Sequence, residues 1–429
     1  MKITYLVTWG TLNGGLRVIC EQTNRLIERG HEVKIFTLKE TIPDWYPFKA
    51  KIITVPQFER GTLTSDITVA CFAGAALAAS RVPKGIPFYS IQAYEPRLYE
   101  DTEYRKVCNA SYQLPLNLLC ISNWLQELLR DKYLRRAYKI SIGVDSKQFK
   151  PVSPLLKSPH KKILMVFSSV QIKGCLDGIM AFRLLKERFP ELELVMFGNE
   201  PPPKVGFSIT FFYQPSEEEL AGIYSSSDIF ISTSLEEGFG LPQLEAMACG
   251  VPVITTDSKG VREYAIDGKT ALIVPPQDPT KLAQAIIQLL EDDSLRERIA
   301  QAGFNKAQEF GWERAVGQLE EVFNEAKDIY TQWSSRHSSP WERVLMLTPD
   351  DPWAHYALGV ELKEMGEIKR AEEEFRKVIE IIPGFVFAYR ELGELFSKEG
   401  NYQKAFYYLK KAKEILEEGT ANKENRRKN

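Results

Sequence analysis

Residues 1–37, MKITYLVTWGTLNGGLRVICEQTNRLIERGHEVKIFT, constrain the fold more than any other stretch. A short β-branched run leads into glycines, then into a helix pattern with Leu16, Ile19, Leu26 and Ile27 recurring at helical spacing, then through Gly30 into a second apolar run. Strand, helix and strand with short joints make a βαβ unit, and that unit opens a parallel sheet. Further strand-like runs at 51–55, 67–71 and 88–92 alternate with helical or loop segments until IGVDSKQFKPVSPLLKSPH, where three prolines and lost periodicity predict a linker near 150–160. The alternation then restarts with KKILMVFSSVQIKG and continues through LELVMFGN, ITFFYQP, DIFISTS, VPVITTDS and ALIVPP. Both halves therefore read as doubly wound parallel sheets, 1–150 and 151–335, whose ligands sit beyond the carboxyl ends of the strands. The cleft between the two halves is the expected site.

After residue 330 the strands stop. Aligning Leu358-Gly359 with Leu392-Gly393 gives a period of 34, which also aligns Gly366 with Gly400, Ala371 with Ala405 and Phe375 with Leu409. This is the tetratricopeptide pattern, in which small residues let paired helices approach and apolar residues fill the space between them. Two repeats over 340–419 fall short of the roughly three such units usually need, so the segment 339–349 or the preceding domain is expected to cover one end. The repeats read as a surface for a protein partner, as a cover for the preceding domain, or as a self-association face. Residues 420–429, polar and mildly basic, are expected to be a disordered tail.

Composition excludes several classes. With 55 Lys+Arg against 57 Asp+Glu, there is no broad electrostatic footprint for nucleic acid. The six cysteines are far apart, with no Cys-x-x-Cys and no histidine placed to complete a zinc site, which suits a reducing cytoplasm. Met1 leads straight into an apolar run with no basic stretch before it, so that run reads as a strand rather than a signal peptide. The apolar run 69–79 is about half the ~20 residues needed to span a bilayer.

The stretch STSLEEGFGLPQLEAMACGVPVIT sets Glu237 and Glu245 either side of Gly-Phe-Gly. On one continuous helix those carboxylates would stand about 12 Å apart. Gly238 and Gly240 permit a turn instead, and Pro242 suits the start of a helix, which places Glu237 in the loop and Glu245 in the first helical turn. From Gly238 to Pro242 no Ser, Thr, Asp or Asn is available as a cap, so the first helix amides are free for an anion such as phosphate, with the glutamates accepting from neutral hydroxyls beside it. A sugar joined to a diphosphate has that combination. An ordinary glycine-capped helix with an acid in its first turn accounts for the same residues.

EEGFGLPQLEAMACGVPVI, together with KGVREYAIDGKTALIVPPQDPTKLAQAI, closely resembles the retaining glycosyltransferases of family 4. The resemblance covers about residues 1–330 and implies two facing Rossmann-like domains, the GT-B arrangement. It implies that Glu237 contacts donor-sugar hydroxyls, Glu245 the ribose, and the backbone of Gly238, Phe239, Gly240 and Leu241 the diphosphate. Lys173, followed by Gly174, resembles the family's phosphate-binding lysine, and Gly14-Gly15 its glycine loop across the cleft; as a motif, Gly14-Gly15 is a βα turn without the full G-x-G-x-x-G fingerprint. ISIGVDSKQFKP resembles the interdomain hinge, and FGWERAVGQLEEVF the closing helix that crosses back to the first domain.

The resemblance implies sugar transfer from a nucleotide-diphosphate donor to a hydroxyl of a glycan or lipid-linked acceptor with retention, catalysed by Lys173 and Glu237, in the cytoplasm or peripherally at the inner face of the membrane. No cofactor is expected beyond the donor substrate. No Asp-x-Asp occurs in the chain, so a metal-independent reaction is expected. Two departures stand out. The family's arginine before the lysine is replaced by Phe167, Ser168 and Ser169, and its histidine motif by FYSIQAYEPRLYED, with Gln92, Tyr94 and Glu95. The second resembles rhamnan-building rhamnosyltransferases, which suggests rhamnose as donor sugar; an aromatic loop packed on the cleft wall accounts for it as well. A nucleotide-sugar epimerase, a phosphorylase and a decayed scaffold acting through its repeats share the scaffold.

Overall fold

The computed structural model describes residues 1–8, 14–38, 47–58, 65–82, 85–331 and 339–428, with backbone alone beyond residue 417. Most of the segment SSRHSSP lies outside the described residues. Seven parallel strands form the first sheet: β1 (Lys2–Val7), β2 (Glu32–Thr37), β3 (Lys51–Thr54), β4 (Ile67–Cys71), β5 (Ile86–Ile91), β6 (Asn117–Cys120) and β7 (Ala137–Lys139). Their order, β3-β2-β1-β4-β5-β6-β7, reverses direction between β1 and β4. Helix α1 (Gly14–Glu28) follows β1, and α2 (Ala73–Ser80), α3 (Thr102–Ser111) and α4 (Asn123–Tyr133) follow β4, β5 and β6. Strands β6 and β7 escape the sequence reading because NLLC and AYK are too short to show a period.

The second sheet holds β8 (Lys162–Phe167), β9 (Glu193–Gly198), β10 (Ile209–Tyr213), β11 (Ile229–Ser232), β12 (Val253–Thr256) and β13 (Leu272–Val274), and each falls on an expected run. The order is β10-β9-β8-β11-β12-β13, so the switch point lies between β8 and β11. Helices α5 (Cys175–Lys186), α6 (Glu217–Ser225), α7 (Leu241–Ala248), α8 (Pro279–Glu291) and α9 (Asp293–Ala307) alternate with these strands or follow them. The chain leaves β8 toward Lys173 and β11 toward Glu237, so both residues arise at the switch point.

Helix α10 (Trp312–Thr331) follows the second domain in sequence but packs on the first. Its Val316, Leu319, Phe323 and Ala326 are buried in the core formed by β1, β4 and β5, with the Phe323 and Phe88 rings 5.2 Å apart. The expected boundary at 335 thus encloses a helix whose apolar face belongs to the first domain.

The rest is helical: α11 (Pro340–Leu347), α12 (Pro352–Glu364), α13 (Ile368–Ile381), α14 (Val386–Lys398) and α15 (Tyr402–Lys428). Pairs α12/α13 and α14/α15 repeat the 34-residue period as two hairpins. A Cβ on Gly359 would fall 2.6 Å from the Phe375 ring, and one on Gly393 2.6 Å from Leu409, so both helix crossings require glycine. Helix α11 packs beside α12, and the first domain supports the same end. Arg135 bonds Asp351 at 2.9 Å, Trp353 Nε1 donates to the Gln113 carbonyl at 3.3 Å, and the Tyr138 hydroxyl donates to the Leu347 carbonyl at 2.9 Å. One correction falls on the tail. Helix α15 continues to Lys428 where a disordered tail was expected, because ANKENRRK is rich in helix-forming Ala, Lys, Glu and Arg and has no proline. Among the described residues, no helix is long and apolar enough to cross a membrane. All six cysteines are free and buried.

Candidate functional site

The helix that follows Gly-Phe-Gly begins without a side-chain cap. Gly240, the N-cap, has φ 94° and ψ 67°, a conformation open to glycine, and no side chain accepts from the first amides of α7. Phe239 and Leu241 are buried, and the Phe239 ring packs 5.3 Å from Tyr264 and 5.8 Å from Phe310, so position 239 offers the cleft its backbone rather than its side chain. The Tyr264 hydroxyl donates to the Gly240 and Phe239 carbonyls, which fixes the turn from beneath.

Glu237 stands in the loop before this helix. Its amide donates to the Ser258 carbonyl at 2.9 Å, and its carboxylate accepts from Lys173 Nζ at 2.8 Å and from Ser234 Oγ at 2.6 Å. Lys173 closes a 3-10 turn ending at Gly174 (φ 58°), where a Cβ would fall 2.3 Å from the Thr233 carbonyl oxygen. Two switch-point loops thus bring the predicted lysine and glutamate together. The preceding positions carry no charge to replace the family's arginine: Phe167 is buried, Ser168 N–H donates to Cys175 Sγ, and Ser169 N–H donates to the Glu200 carboxylate.

Glu245 departs from expectation. It is the fifth residue of α7 and so lies in the second turn, not the first, and it is buried. Each of its oxygens accepts one hydrogen bond, Oε1 from Arg17 Nη1 and Oε2 from the Tyr224 hydroxyl at 3.0 Å, which leaves a lone pair on each. Burial pushes the Glu245 carboxyl above its usual range, while Arg17 and the Tyr224 hydrogen bond pull it back. Arg17 belongs to the first domain, so this contact crosses the cleft. Its Nη2 also bonds Glu217 of α6 at 2.6 Å. No local pattern marks Arg17 in the sequence, since its partners lie 200 and 228 residues away.

On the facing wall, Gly14 and Gly15 are the first two residues of α1 rather than loop, and the stretch 9–13 before them lies outside the described residues. A Cβ on Gly14 would stand 3.6 Å from Leu241 Cδ1, so the start of α1 faces the start of α7. At Gly238 the approach is tighter, with a Cβ position only 1.9 Å from the Gln92 carbonyl oxygen. Gln92 also carries a buried Oε1 with no hydrogen-bond partner. Its neighbours in the QAYEP stretch turn inward. Glu95 accepts from the Ala73 amide at 2.9 Å and the Tyr89 hydroxyl at 2.7 Å, and Tyr94 stacks on Tyr112 while bonding Asn109 at 3.3 Å. Of the three residues expected there, only Gln92 meets the Gly238 turn. Sequence reasoning also missed Glu236, which is buried 3.8 Å from the Arg97 guanidinium, and Lys259, which holds φ 68° and ψ −73° with its Nζ 5.5 Å from the Trp124 ring.

Residues 146–306 match the family model for glycosyl transferases group 1. Over these residues the second domain is similar to the group 1 glycosyltransferase domain. The two facing domains share the GT-B fold with sucrose-phosphate synthase of Thermosynechococcus elongatus (TM-score 0.67, 20% identity, covering 76% of this chain and 98% of that one). The fold is also that of HepE of Anabaena, solved with UDP-glucose (TM-score 0.66, 17% identity, 76% and 100%). In sequence, the chain is 26% identical over 256 residues to a D-inositol 3-phosphate glycosyltransferase of Corynebacterium urealyticum, covering 52% of this chain and 60% of that relative. It is 31% identical over 192 residues to a poly(glycerol-phosphate) alpha-glucosyltransferase of Bacillus subtilis, covering 40% and 28%. The chain therefore spans 60% or less of the length of these two curated relatives.

Proposed function

We propose that this chain transfers a sugar from a nucleoside-diphosphate donor to an acceptor hydroxyl, with retention at the anomeric carbon, in glycan or polysaccharide assembly. The observation that carries this reading is the uncapped start of α7, set at the switch point with Lys173 and Glu237 on one side and Glu245 on the other. Free helix amides and an ammonium suit a diphosphate, and carboxylates suit the neutral hydroxyls flanking it. UDP-glucose in HepE, which shares the fold, supports a nucleotide-sugar donor.

In this reading the transition state resembles an oxocarbenium ion with charge gathering on the leaving diphosphate. Lys173 and the α7 amides stabilise that charge, while Glu237 orients the sugar and Glu245 the ribose. With Ser168 and Ser169 where the family has arginine, Arg17 is the cation nearest the nucleotide half. Closing the domains excludes water that would otherwise hydrolyse the donor. Departure of the diphosphate in this scheme needs no metal. Gln92, whose backbone carbonyl lies against Gly238 and whose side-chain Oε1 has no hydrogen-bond partner, is the first-domain residue to which we assign reading of the sugar, and rhamnose is the donor we put forward. The acceptor is a glycan or lipid-linked hydroxyl, reached in the cytoplasm or at the inner face of the membrane. The hairpin pair reads as two tetratricopeptide repeats that take a protein partner.

The test is thermal stabilisation of the purified chain across a panel of nucleotide sugars, followed by product analysis with and without acceptor. The reading expects stabilisation by one nucleotide class and acceptor-dependent transfer. Stabilisation without any acceptor-dependent product would leave an epimerase or a scaffold, and no stabilisation by any nucleotide would end the donor-site reading.

A further inference from the structure

Arg17 is the point at which three parts of the molecule meet. It projects from α1 of the first domain with its side chain 14% exposed, and its fork takes two acids of the second domain, Glu245 through Nη1 and Glu217 through Nε and Nη2 at 3.2 and 2.6 Å. The guanidinium carbon lies 5.0 Å from the centre of the Phe149 ring, in the segment joining the domains, and Phe149 in turn meets Tyr224 edge-on at 6.1 Å. Two side chains of the second domain approach the Glu245 carboxylate. The Tyr224 hydroxyl bonds Oε2, and Glu217, also on α6, adds a like charge that disfavours ionisation. At the C-terminal end of its helix, Cys249 is a thiol that burial pushes up to about 12, so it stays neutral. The cation acting on this carboxylate comes from the opposite domain.

We propose that Arg17 is a positioning residue: closure of the first domain brings its guanidinium onto Glu245, holding that carboxylate ionised and aimed for the donor's ribose, so the nucleotide half of the site is complete only when the domains are together. This rests on the donor-site reading of Glu245. An ionised carboxylate accepts from a ribose diol more strongly than a carboxyl does, and a buried carboxyl beside a second acid gives up its charge unless a cation compensates. Arginine rather than lysine suits the position, because one planar fork serves two carboxylates while an ammonium is a single point charge. Burial raises Glu245 and Arg17 lowers it, in keeping with this role. The sign follows. Without Arg17 the Glu245 carboxyl rises further, and a nucleotide that needs the anion binds more weakly as pH falls.

The experiment is calorimetric titration of the full chain with UDP, GDP and ADP, for wild type and for Arg17→Gln, Arg17→Lys and Glu217→Gln, at about pH 6 and about pH 8. The nucleotide's own phosphate titrates alike in all four proteins and cancels in the comparison. Arg17→Gln is expected to weaken the preferred nucleotide by about tenfold at the higher pH and by more at the lower, with Arg17→Lys recovering part of the loss. Glu217→Gln is expected to bind as well as wild type or better, with a flatter pH dependence. Melting curves identify any variant that fails to fold, and Arg17→Lys and Glu217→Gln still decide the matter if Arg17→Gln does. Wild-type affinity and pH profile in Arg17→Gln, or losses in Glu217→Gln equal to those in Arg17→Gln, would overturn the proposal and leave the donor site standing. A wild type that binds none of the three, and no pyrimidine diphosphate such as dTDP or CDP either, would instead refute the donor-site reading and this proposal with it.

Discussion

Arg135 and Asp351 form an ion pair at 2.9 Å in which neither side chain is exposed to water, and it joins the first domain to the helical unit. The other guanidinium nitrogens of Arg135 donate to the carbonyls of Tyr112, Leu114 and Leu116, and Asp351 also caps α12 through the Ala354 amide. Breaking such a pair by removing one partner leaves a buried charge and costs about 3–5 kcal/mol. Asp351→Ala should therefore lower the stability of the chain by that amount in urea titration. Deleting residues 340–429 removes Asp351 as well, so the truncated chain should melt at a lower temperature, and adding Arg135→Met should restore part of the loss. If truncation leaves the melting point unchanged, the helical unit is an independent appendage.

Glu237 tests the proposed chemistry. It is a loop carboxylate held by Lys173 and Ser234 and packs little apolar surface. Glu237→Ala should lower transfer by about 10²–10³, the range for losing one electrostatic contact to a transition state. Stability should fall by no more than about 1 kcal/mol. Full turnover with a large loss of melting temperature would assign Glu237 a structural role only.

Gly238 tests how closely the domains must approach. The Cβ of Gly238→Ala would sit 1.9 Å from the Gln92 carbonyl oxygen, an impossible contact, yet Gln92 belongs to the other domain. Separating the domains relieves the clash while leaving the strand pairing within each sheet intact. The variant should thus lose transfer, keep most of its melting temperature and show a larger radius of gyration in small-angle scattering. An unchanged radius with full activity would show that the approach is dispensable.

Lys259 is the place to look for stored strain. Its φ of 68° with ψ of −73° is a region that side chains rarely occupy, at a cost on the order of 1–3 kcal/mol. Lys259→Gly should stabilise the fold by about 1 kcal/mol in chemical denaturation, after losing about 0.5 kcal/mol of the Nζ contact with Trp124. A destabilised Lys259→Gly would mean that the side chain contributes more than the backbone strain costs.

A divalent metal should not be needed. Transfer is expected to persist in EDTA, and loss on chelation with recovery on adding Mn²⁺ would show that Lys173 and the α7 amides do not suffice for the leaving group.

Much of the fold was legible because its signals are local. KILMVF, ELVMFG and VITT are short β-branched or apolar runs bounded by Gly, Pro or polar turns, and a 34-residue period is visible by sliding the chain along itself. At the candidate site the same holds for whatever lies within one turn: Gly238, Gly240 and the absent cap are adjacent letters. Arg17 was not legible, nor was Arg97 opposite Glu236, since nothing near position 17 or 97 encodes a partner brought up by domain closure. Glu245 stands one turn later than the sequence suggests because the helix starts at Leu241, one residue ahead of Pro242, which makes Glu245 its fifth residue rather than its fourth. Tyr94 and Glu95 were assigned to the cleft because a polar loop residue and one that caps a buried helix start look alike in sequence; the structure puts Glu95 on the Ala73 amide.

Helix α10 carries a consequence for biosynthesis. Phe323 and Leu319 complete the hydrophobic interior of a domain whose strands are all made before residue 140. On the ribosome, the residues that fill this apolar groove emerge only after all six strands of the second sheet have been made. The domain made earlier thus depends on residues made later, and its unfilled groove is the surface a chaperone would shield in the interval.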